Sequence, residues 1–381
     1  MTEPTDLRDQ ITQAQLVVVK VGTRLITRGP GQLNQEFLAS LVGQIKRLSQ
    51  GGRQLLVVTS GAIHLGSASL SRRGDEDGLS VRQAAAAVGQ PALMQHYITA
   101  LAAEGLVGAQ ILLTTEDMQH RSRYLRIRNT LQVLLAQGVV PIINENDTVS
   151  VEGVTFGEND RLAAVVAAAL RADLLVFLSD QPGLFTADPR HDAAAEFVPV
   201  VLPGDQISHY ADGPGGAESR GGMEKKLEAA QMVVDCGIPL VIADGEQEDV
   251  LIQILAGAEI GTLFVARGAP PSRKLWLATA LEPSGSLLID EGACQALRDR
   301  DGSSLLPVGV VGVKGSFQAG DLVQVVDSQD EEVARGLVNY SSEQVTAIQG
   351  HHSDEIERIL GHVGDDEVIH RDNLMVSGQG E

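Results

Sequence analysis

The 381 residues of the chain suffice for two or three domains, each with its own hydrophobic core. Hydrophobic residues make up 43% of the sequence but aromatic residues only 3%, so an aliphatic core is expected. The formal net charge of −21 argues against sequence-independent nucleic-acid binding, and no segment reaches the roughly 18 apolar residues of a membrane span.

The two cysteines, Cys236 and Cys294, stand far apart and in no spacing typical of metal or redox sites. The first residues, MTEPTDLRDQ, are polar and acidic, which does not resemble a signal peptide. We therefore expect a cytoplasmic protein whose two thiols are reduced.

Apolar runs alternate with amphipathic or Ala-rich stretches from residue 16 to about 265. This alternation predicts an α/β fold, with an open, mostly parallel sheet and helices on both faces. Strands are predicted at 16–22, 53–61, 107–114, 139–144, 173–179 and 238–243, and a short hairpin at 149–156. Helices are predicted at 34–50, 80–104, 121–137, 159–171 and 223–236.

A Gly/Pro-rich linker at 268–272 separates two regions of different character. Beyond it, short β-rich runs alternate with Gly-rich turns, which predicts a small β-rich domain. The expected organisation is a first domain over 1–270, a second over 275–372, and a tail over 373–381.

Polar residues cluster where predicted strands end. The cluster 144–147 (NEND) follows one buried strand, 179–180 (SD) follows the next, and 158–160 (END) opens the Ala-rich helix between them. In open α/β sheets the ligand crevice lies outside the carboxyl ends of the strands, so these clusters should meet. The sequence predicts a site there for a small polar ligand, with a metal ion.

Three further segments could contribute to this site. Residues 20–23 (KVGT) could aim an ammonium at a ligand, although on this segment alone an exposed lysine in an ordinary turn is the favoured interpretation. Residues 59–62 (TSGA) could form an anion cradle or a simple N-cap. Residues 220–226 (RGGMEKK) form a Gly-rich loop that leads into a helix, and the chain contains no Walker A motif.

Eight motifs, in the order KVGT, VTSGAI, AVGQ, INENDTVS, FGENDRLAA, SDQPGLFTADPR, RGGMEKK and GTLF, resemble the amino-acid kinase family. Within it they are most similar to the enzymes that phosphorylate glutamate at the start of proline biosynthesis. SSLLPVGV and GHHSDEIERILG resemble the PUA domain appended to those enzymes. The resemblance covers about 16–372.

The resemblance implies ATP-dependent phosphorylation of the side-chain carboxylate of L-glutamate to L-glutamyl 5-phosphate, with Mg²⁺. It also implies a homo-oligomer and feedback inhibition by proline. The implied catalytic residues are Lys20, Asp160 and Lys226, with Asp160 organising the two lysines. The implied ATP-binding residues are Lys20, Gly22, Thr23, Ser179, Asp180, Arg220, Gly221, Gly222, Met223 and Lys226. The implied glutamate-binding residues are Ser60, Gly61, Asn144, Asp147 and Asn159. No direct metal ligand is assigned.

The chain departs from the family pattern at several positions. Lys225-Lys226 stand where Thr-Lys is usual, and register favours Lys226 as the phosphate-facing lysine. Arg24 stands where Ser is common, and Phe185 replaces a usual Tyr.

Three other functions are compatible with the sequence: a sister carboxylate or nucleotide kinase, an RNA-binding regulator, and an amino-acid sensor without activity. A free carboxylate at Asp147 suits an unblocked ammonium and argues against an N-acetylated acceptor. Residues 275–381 contain 6 Lys and Arg against 19 Asp and Glu, a formal charge of −13 that argues against RNA binding.

Overall fold

The computed structural model describes residues 4–70, 78–119, 121–149, 158–187, 189, 192, 194–205, 217–266, 283–298, 303–361 and 364–376. The chain divides into two compact units, Met1–Ala269 and Pro270–Glu381. Nearly all of the predicted hairpin at 149–156, the linker at 268–272 and the last five residues of the predicted tail lie outside the described residues.

The first unit is built of alternating strands and helices. Its strands are β1 Leu16–Val21, β2 Thr27–Gly29, β3 Gln32–Leu33, β4 Gln54–Val58, β5 Val107–Leu113, β6 Val139–Glu145, β7 Leu174–Ser179, β8 Leu184–Phe185, β9 Phe197–Val198, β10 Val200–Val201, β11 Leu240–Asp244 and β12 Thr262–Phe264. Its helices are α1 Pro4–Thr12, α2 Thr23–Ile26, α3 Gln35–Gln50, α4 Ala62–Ser67, α5 Leu79–Ala103, α6 Thr115–Gln119, α7 Arg121–Ala136, α8 Glu158–Leu170, α9 Ala217–Asp235 and α10 Val250–Leu255.

Eight strands form one sheet in the order β10-β12-β11-β7-β1-β4-β6-β5. All neighbours pair in parallel except β11 and β12, which are antiparallel. The prediction of an α/β fold with a mostly parallel sheet is confirmed, and all six predicted strands lie in this sheet. Strands β10 and β12 were not predicted, because two or three residues are too few for a periodic pattern.

The centre of the sheet is buried on both faces. Every residue of β7 is buried, as are nearly all of β1, and the Ala- and Val-rich α8 is buried along most of its length. Small side chains let α8 pack closely on the sheet, which explains how a core with few aromatic residues can still be dense.

Helix α1 is attached through the buried side chain of Arg8 to the segments that precede β10 and β12. The Arg8 guanidinium donates hydrogen bonds to the carbonyl oxygens of Pro199, Ala258, Ile260 and Gly261, at 3.3, 3.0, 2.8 and 2.9 Å. Burial lowers the pKa of Arg8. The sequence did not predict this helix, because its residues are mostly polar.

Helix α9 begins earlier than predicted. We expected residues 220–226 to be a Gly-rich loop before a helix starting at 223, but the helix runs from Ala217 to Asp235. The expectation was wrong because Gly221 and Gly222, which favour a loop, are part of the helix.

The second unit contains a five-stranded sheet in the order β14-β13-β15-β16-β17. Its elements are β13 Gly285–Ile289, α11 Glu291–Arg298, β14 Val310–Gly315, β15 Leu322–Val326, β16 Glu332–Leu337, α12 Ser342–Ile348, α13 Ile356–Leu360 and β17 Leu374–Val376. It has its own apolar core, which includes Leu287, Phe317, Val325 and Ile369. Strand β17 pairs with β16 although it lies inside the segment predicted as a tail. Among the described residues, no helix has the length and hydropathy needed to cross a bilayer.

Candidate active site

The predicted polar residues lie side by side at the carboxyl ends of neighbouring parallel strands, referred to below as the sheet edge. The four central strands are ordered β7-β1-β4-β6, and all run in parallel. Their carboxyl ends carry Ser179, Lys20, Ser60 and Asn144, respectively, at or just after the last strand residues. The lysine of β1 therefore lies in the middle of this edge, between a serine on each side.

Lys20 belongs to a buried cluster of three charged side chains. Lys20 Nζ lies 2.6 Å from Asp160 Oδ1, and Lys226 Nζ lies 3.4 Å from Asp160 Oδ2. The side chain of Asp160 is 1% exposed, that of Lys20 7% and that of Lys226 19%. One carboxylate thus holds two ammonium groups, and the cluster keeps a net positive charge that could attract an anion.

The local electrostatics follow from this arrangement. Burial alone would raise the pKa of Asp160, but the two lysines and their hydrogen bonds hold that pKa below its ordinary value. Burial lowers the pKa of Lys20, and the neighbouring Lys226 lowers it further, while Asp160 opposes both effects. The carboxylate is therefore firmly ionised at neutral pH, and its charge keeps two like charges close together.

Three polar side chains beside this cluster form a hydrogen-bond network. Asn159 Nδ2 donates to Ser60 Oγ at 3.1 Å and to Asn144 Oδ1 at 3.2 Å. Asn159 Oδ1 accepts a hydrogen bond from the backbone N–H of Glu145 at 3.2 Å. Asn159 precedes Asp160 in the first turn of α8, so this one turn joins the network to the charged cluster.

The turn that carries Ser60 depends on Gly61. Gly61 has a φ of 102°, in the left-handed region, and a Cβ atom there would lie 2.9 Å from the Ile26 side chain. Only glycine takes this conformation without strain in so little space. Gly61 therefore shapes the turn between β4 and α4, which supports its prediction as a site residue.

Gly22, which the resemblance implies as an ATP-binding residue, lies in the loop after β1. Its N–H donates to the carbonyl of Leu178 at 3.1 Å. That bond ties the loop to the end of β7 and takes one amide out of the set available for ligands. Thr23 follows as the first residue of α2.

On the other side of Lys20, the end of β7 carries Ser179 and Asp180. Ser179 Oγ donates to Asp180 Oδ1 at 3.3 Å, and Arg24 Nη1 lies 2.8 Å from Asp180 Oδ2. Burial acts to raise the pKa of Asp180, but Arg24 holds it below its ordinary value. Arg24 was noted from the sequence only as a departure, and its role as the partner of Asp180 depends on a contact across two loops.

The remaining predicted residues are found on α9 and after β6. Arg220, Gly221, Gly222, Met223 and Lys226 lie on α9, and Lys226 is the one that contacts Asp160. Asp147, which has a polar partner of its own, lies in a partly buried turn just beyond β6.

Gln90 was not predicted as a site residue, although it ends the quoted AVGQ motif. It lies on α5, and its Oε1 accepts a hydrogen bond from Asn144 Nδ2 at 2.8 Å. Nothing in the sequence shows that a helix distant along the chain reaches the end of β6.

A protein-held metal site is not evident in the part of the chain that the structure describes. No group of three or more His, Cys, Asp or Glu side chains there is arranged to hold a metal ion. Asp160 and Asp180 are each paired with basic side chains.

Comparison with known proteins places this geometry in a family. Residues 15–244 match the model of the Amino acid kinase family, and residues 285–360 match that of the PUA domain. The chain is 46% identical over 367 residues to a glutamate 5-kinase of Caldanaerobacter subterraneus subsp. tengcongensis, covering 96% of this chain and 98% of that protein. It is 45% identical over 368 residues to a glutamate 5-kinase of Nitrosospira multiformis, covering 96% and 99%.

Proposed function

The chain belongs to the amino acid kinase family, and from this premise we propose that it is a glutamate 5-kinase. It transfers the γ-phosphoryl group of ATP to the side-chain carboxylate of L-glutamate, which forms L-glutamyl 5-phosphate and ADP in the first step of proline biosynthesis. The observation that carries the assignment of the site is the buried carboxylate of Asp160 between Lys20 and Lys226.

The order of groups along the sheet edge supports transfer of a phosphoryl group from a nucleotide on one side of Lys20 to an acceptor on the other. Ser179 and Asp180 at the end of β7 form the nucleotide side, together with Gly22, Thr23 and α9. Ser60, Asn144 and Asn159 form the acceptor side. Lys20 lies between the two sides, where a phosphoryl group would pass from one to the other.

The reaction needs charge stabilisation more than proton transfer. The side-chain carboxyl of glutamate has a pKa of about 4.3, so the attacking oxygen is already ionised at neutral pH. That oxygen forms a bond to the γ-phosphorus while the bond from phosphorus to the β–γ bridging oxygen breaks, and no proton moves. Lys20 and Lys226 would stabilise the charge on the transferred group, and Asp160 would keep both ammonium groups aimed.

The acceptor side suits an amino acid with a free ammonium. Ser60 Oγ and the second hydrogen of Asn144 Nδ2 can donate to a carboxylate, while Asn159, whose Nδ2 donates to Ser60 and Asn144, holds both groups in place. Asp147 supplies a negative charge for the ammonium, which an N-acetylated acceptor lacks.

Mg²⁺ is proposed to enter bound to ATP. Mg²⁺ usually keeps several waters and phosphate oxygens and needs only one or two carboxylates from the protein. When bound, it would neutralise charge on the phosphate oxygens.

Assembly, regulation and location are proposed from the family. Proline shares an α-carboxylate and a nitrogen with glutamate, so we expect it to inhibit by competing at the residues of 60–62 and 144–160. We further propose a cytoplasmic homo-oligomer, in which 1–270 contains the kinase site and 275–372 tunes assembly or the response to proline. The two free, buried cysteines support a reducing compartment.

An acceptor panel tests the proposed function. Acyl phosphate is trapped with hydroxylamine after incubation of the purified chain with MgATP and L-glutamate, N-acetyl-L-glutamate, L-aspartate or UMP, and ADP release is followed in parallel. We expect product with L-glutamate alone, and none from Lys20→Met. Preference for another acceptor would assign the chain to a sister kinase, and no turnover at all would favour a binding role.

A further inference from the structure

Helix α5 carries two buried polar side chains that contact the ends of the central strands. Gln90 Oε1 accepts from Asn144 Nδ2 at 2.8 Å, beyond the middle of β6, and Tyr97 Oη lies 2.9 Å from Thr59 Oγ1, just after β4. Positions seven residues apart lie two turns apart on one face of a helix, so one face of α5 serves both strands.

The position of Gln90 is set by an unusually close approach of α4 and α5. A Cβ atom at Gly89 would lie 1.8 Å from the carbonyl oxygen of Ala62, and one at Gly66 would lie 1.9 Å from that of Ala85. Both positions thus require glycine, because the two backbones touch. Since α4 begins directly after Gly61, this contact fixes Gln90 relative to the turn that carries Ser60.

Gln90 and Asn159 together fix which way the Asn144 amide faces. Asn144 Nδ2 is occupied by Gln90, so Asn144 Oδ1 is left to accept from Asn159 Nδ2. A rotated Asn144 amide would place two NH₂ groups against each other, and neither could accept. The Asn159 amide is itself oriented by the Glu145 backbone N–H, so Gln90 acts on Asn144, which is held between α5 and Asn159.

The Nε2 group of Gln90, unpaired among the described residues, indicates that the bond from Asn144 to Gln90 Oε1 has a function. Gln90 Nε2 is buried and, within the described part of the chain, has no hydrogen-bond partner. An unsatisfied buried donor destabilises the folded protein, and an apolar side chain at position 90 would avoid that cost. The presence of glutamine at position 90 is thus explained by its Oε1, whose hydrogen-bond partner among the described residues is Asn144.

We propose that Gln90 is a positioning residue for the acceptor, acting through Asn144 to orient the hydrogen-bond groups that bind glutamate. The proposal rests on the function proposed above and extends it to Gln90, which acts through Asn144. It predicts a selective effect on acceptor binding rather than a general loss of stability.

The test compares two buried glutamines in the full-length chain. Gln90→Met removes the oxygen acceptor and keeps a straight side chain that suits a helix. Gln44→Met is the matched control, because Gln44 is buried on α3 and its Oε1 accepts from the Leu251 N–H at 2.9 Å, away from the sheet edge. Trapped acyl phosphate is measured while glutamate and ATP are varied in turn.

In Gln90→Met, KM for glutamate is expected to rise about 5- to 30-fold while KM for ATP stays within about 2-fold, as fits the loss of one buried hydrogen bond. Gln44→Met should leave the ratio of the two KM values unchanged. In an Asn144→Ala background, Gln90→Met should add no further increase, because the two residues act in series.

An unchanged KM for glutamate in Gln90→Met, an equal rise in both KM values, or full additivity with Asn144→Ala would overturn the proposal. If Gln90→Met fails to fold, Gln90→Ala with Gln44→Ala as its control is read in the same way. Failure of the proposed function looks different, because then the wild-type chain itself makes no glutamate-dependent product, and the acceptor role falls with it.

Discussion

Lys226 Nζ lies 3.4 Å from one carboxylate oxygen of Asp160, whose other oxygen contacts the lysine of the first strand. The two lysines come from opposite ends of the kinase unit, one on β1 and one on α9, so only the folded sheet brings them together. Of the pair at 225–226 it is Lys226 that contacts Asp160, and its role toward phosphate stays a prediction.

Each lysine is expected to contribute to turnover. Lys20→Ala and Lys226→Ala should lower kcat by roughly 10²–10³-fold, because each removes charge stabilisation that forms chiefly in the transition state. Initial rates at saturating substrates measure this, with circular dichroism to check the fold. Lys225→Ala is the neighbouring control and should remain close to wild type. Inactive Lys225→Ala with active Lys226→Ala would shift the assignment by one residue.

Asp160→Asn should both inactivate and destabilise the protein. The substitution keeps the shape but leaves the buried ammonium of Lys20 and the partly exposed ammonium of Lys226 without their counter-charge. Removing one member of a buried ion pair costs on the order of 3–5 kcal/mol. Urea unfolding of wild type and variant at pH 7 measures the difference. A difference under about 1 kcal/mol would mean that the cluster is solvated like a surface pair.

The pH dependence of that difference follows from the two pKa shifts. The pKa of Asp160 is lowered, so its stabilisation is complete above the ordinary Asp pKa of about 3.9 and is lost as the pH falls through the folded-state pKa. The pKa of Lys20 is lowered by burial, so above that pKa the folded state binds fewer protons than the unfolded chain and gains stability as the pH rises. The difference between wild type and Asp160→Asn should therefore shrink in acid. It should also shrink in base, because losing Asp160 lowers the pKa of Lys20 further, so the variant gains more stability than wild type as the pH rises toward the ordinary lysine pKa of about 10.4. A difference that grows in acid would contradict these directions.

Asp147→Ala should raise KM for glutamate far more than KM for ATP, because it removes the charge that meets the substrate ammonium. Asp173→Ala is a suitable control, since Asp173 accepts from the backbone N–H groups of Gln15 and Leu16 at the amino ends of β1 and β7, away from the site. It should lower stability without changing either KM. A changed Mg²⁺ requirement in Asp147→Ala, with KM for glutamate unaltered, would instead place this carboxylate near the metal.

The PUA match raises the question of RNA binding, and the negative charge of this region predicts that it does not bind RNA. Residues 275–381 have a formal charge of −13, whereas RNA binding depends on neutralised phosphates and weakens steeply with salt. Filter binding of the full-length chain and of the 275–381 fragment to structured RNA, at two salt concentrations, should detect no saturable complex. Salt-sensitive binding in the micromolar range would refute this expectation.

The positions of candidate site residues were predicted from the sequence where local pattern decides secondary structure. Lys20, Asn144 and Ser179 were placed correctly because continuous apolar runs mark strands buried on both faces, and parallel strands end at one edge. Arg24 and Gln90 were missed because their roles depend on contacts between elements distant in the chain, which no periodicity encodes.

Arg8 has a consequence for how the chain assembles during synthesis. Its guanidinium binds carbonyl oxygens at 258–261, so α1 cannot dock until residues about 250 positions further along the chain have been synthesised. Until then its docking site is missing. Translation at about 5–20 residues per second makes this a wait of roughly 10–50 s, during which the amino-terminal helix is accessible to proteases and chaperones.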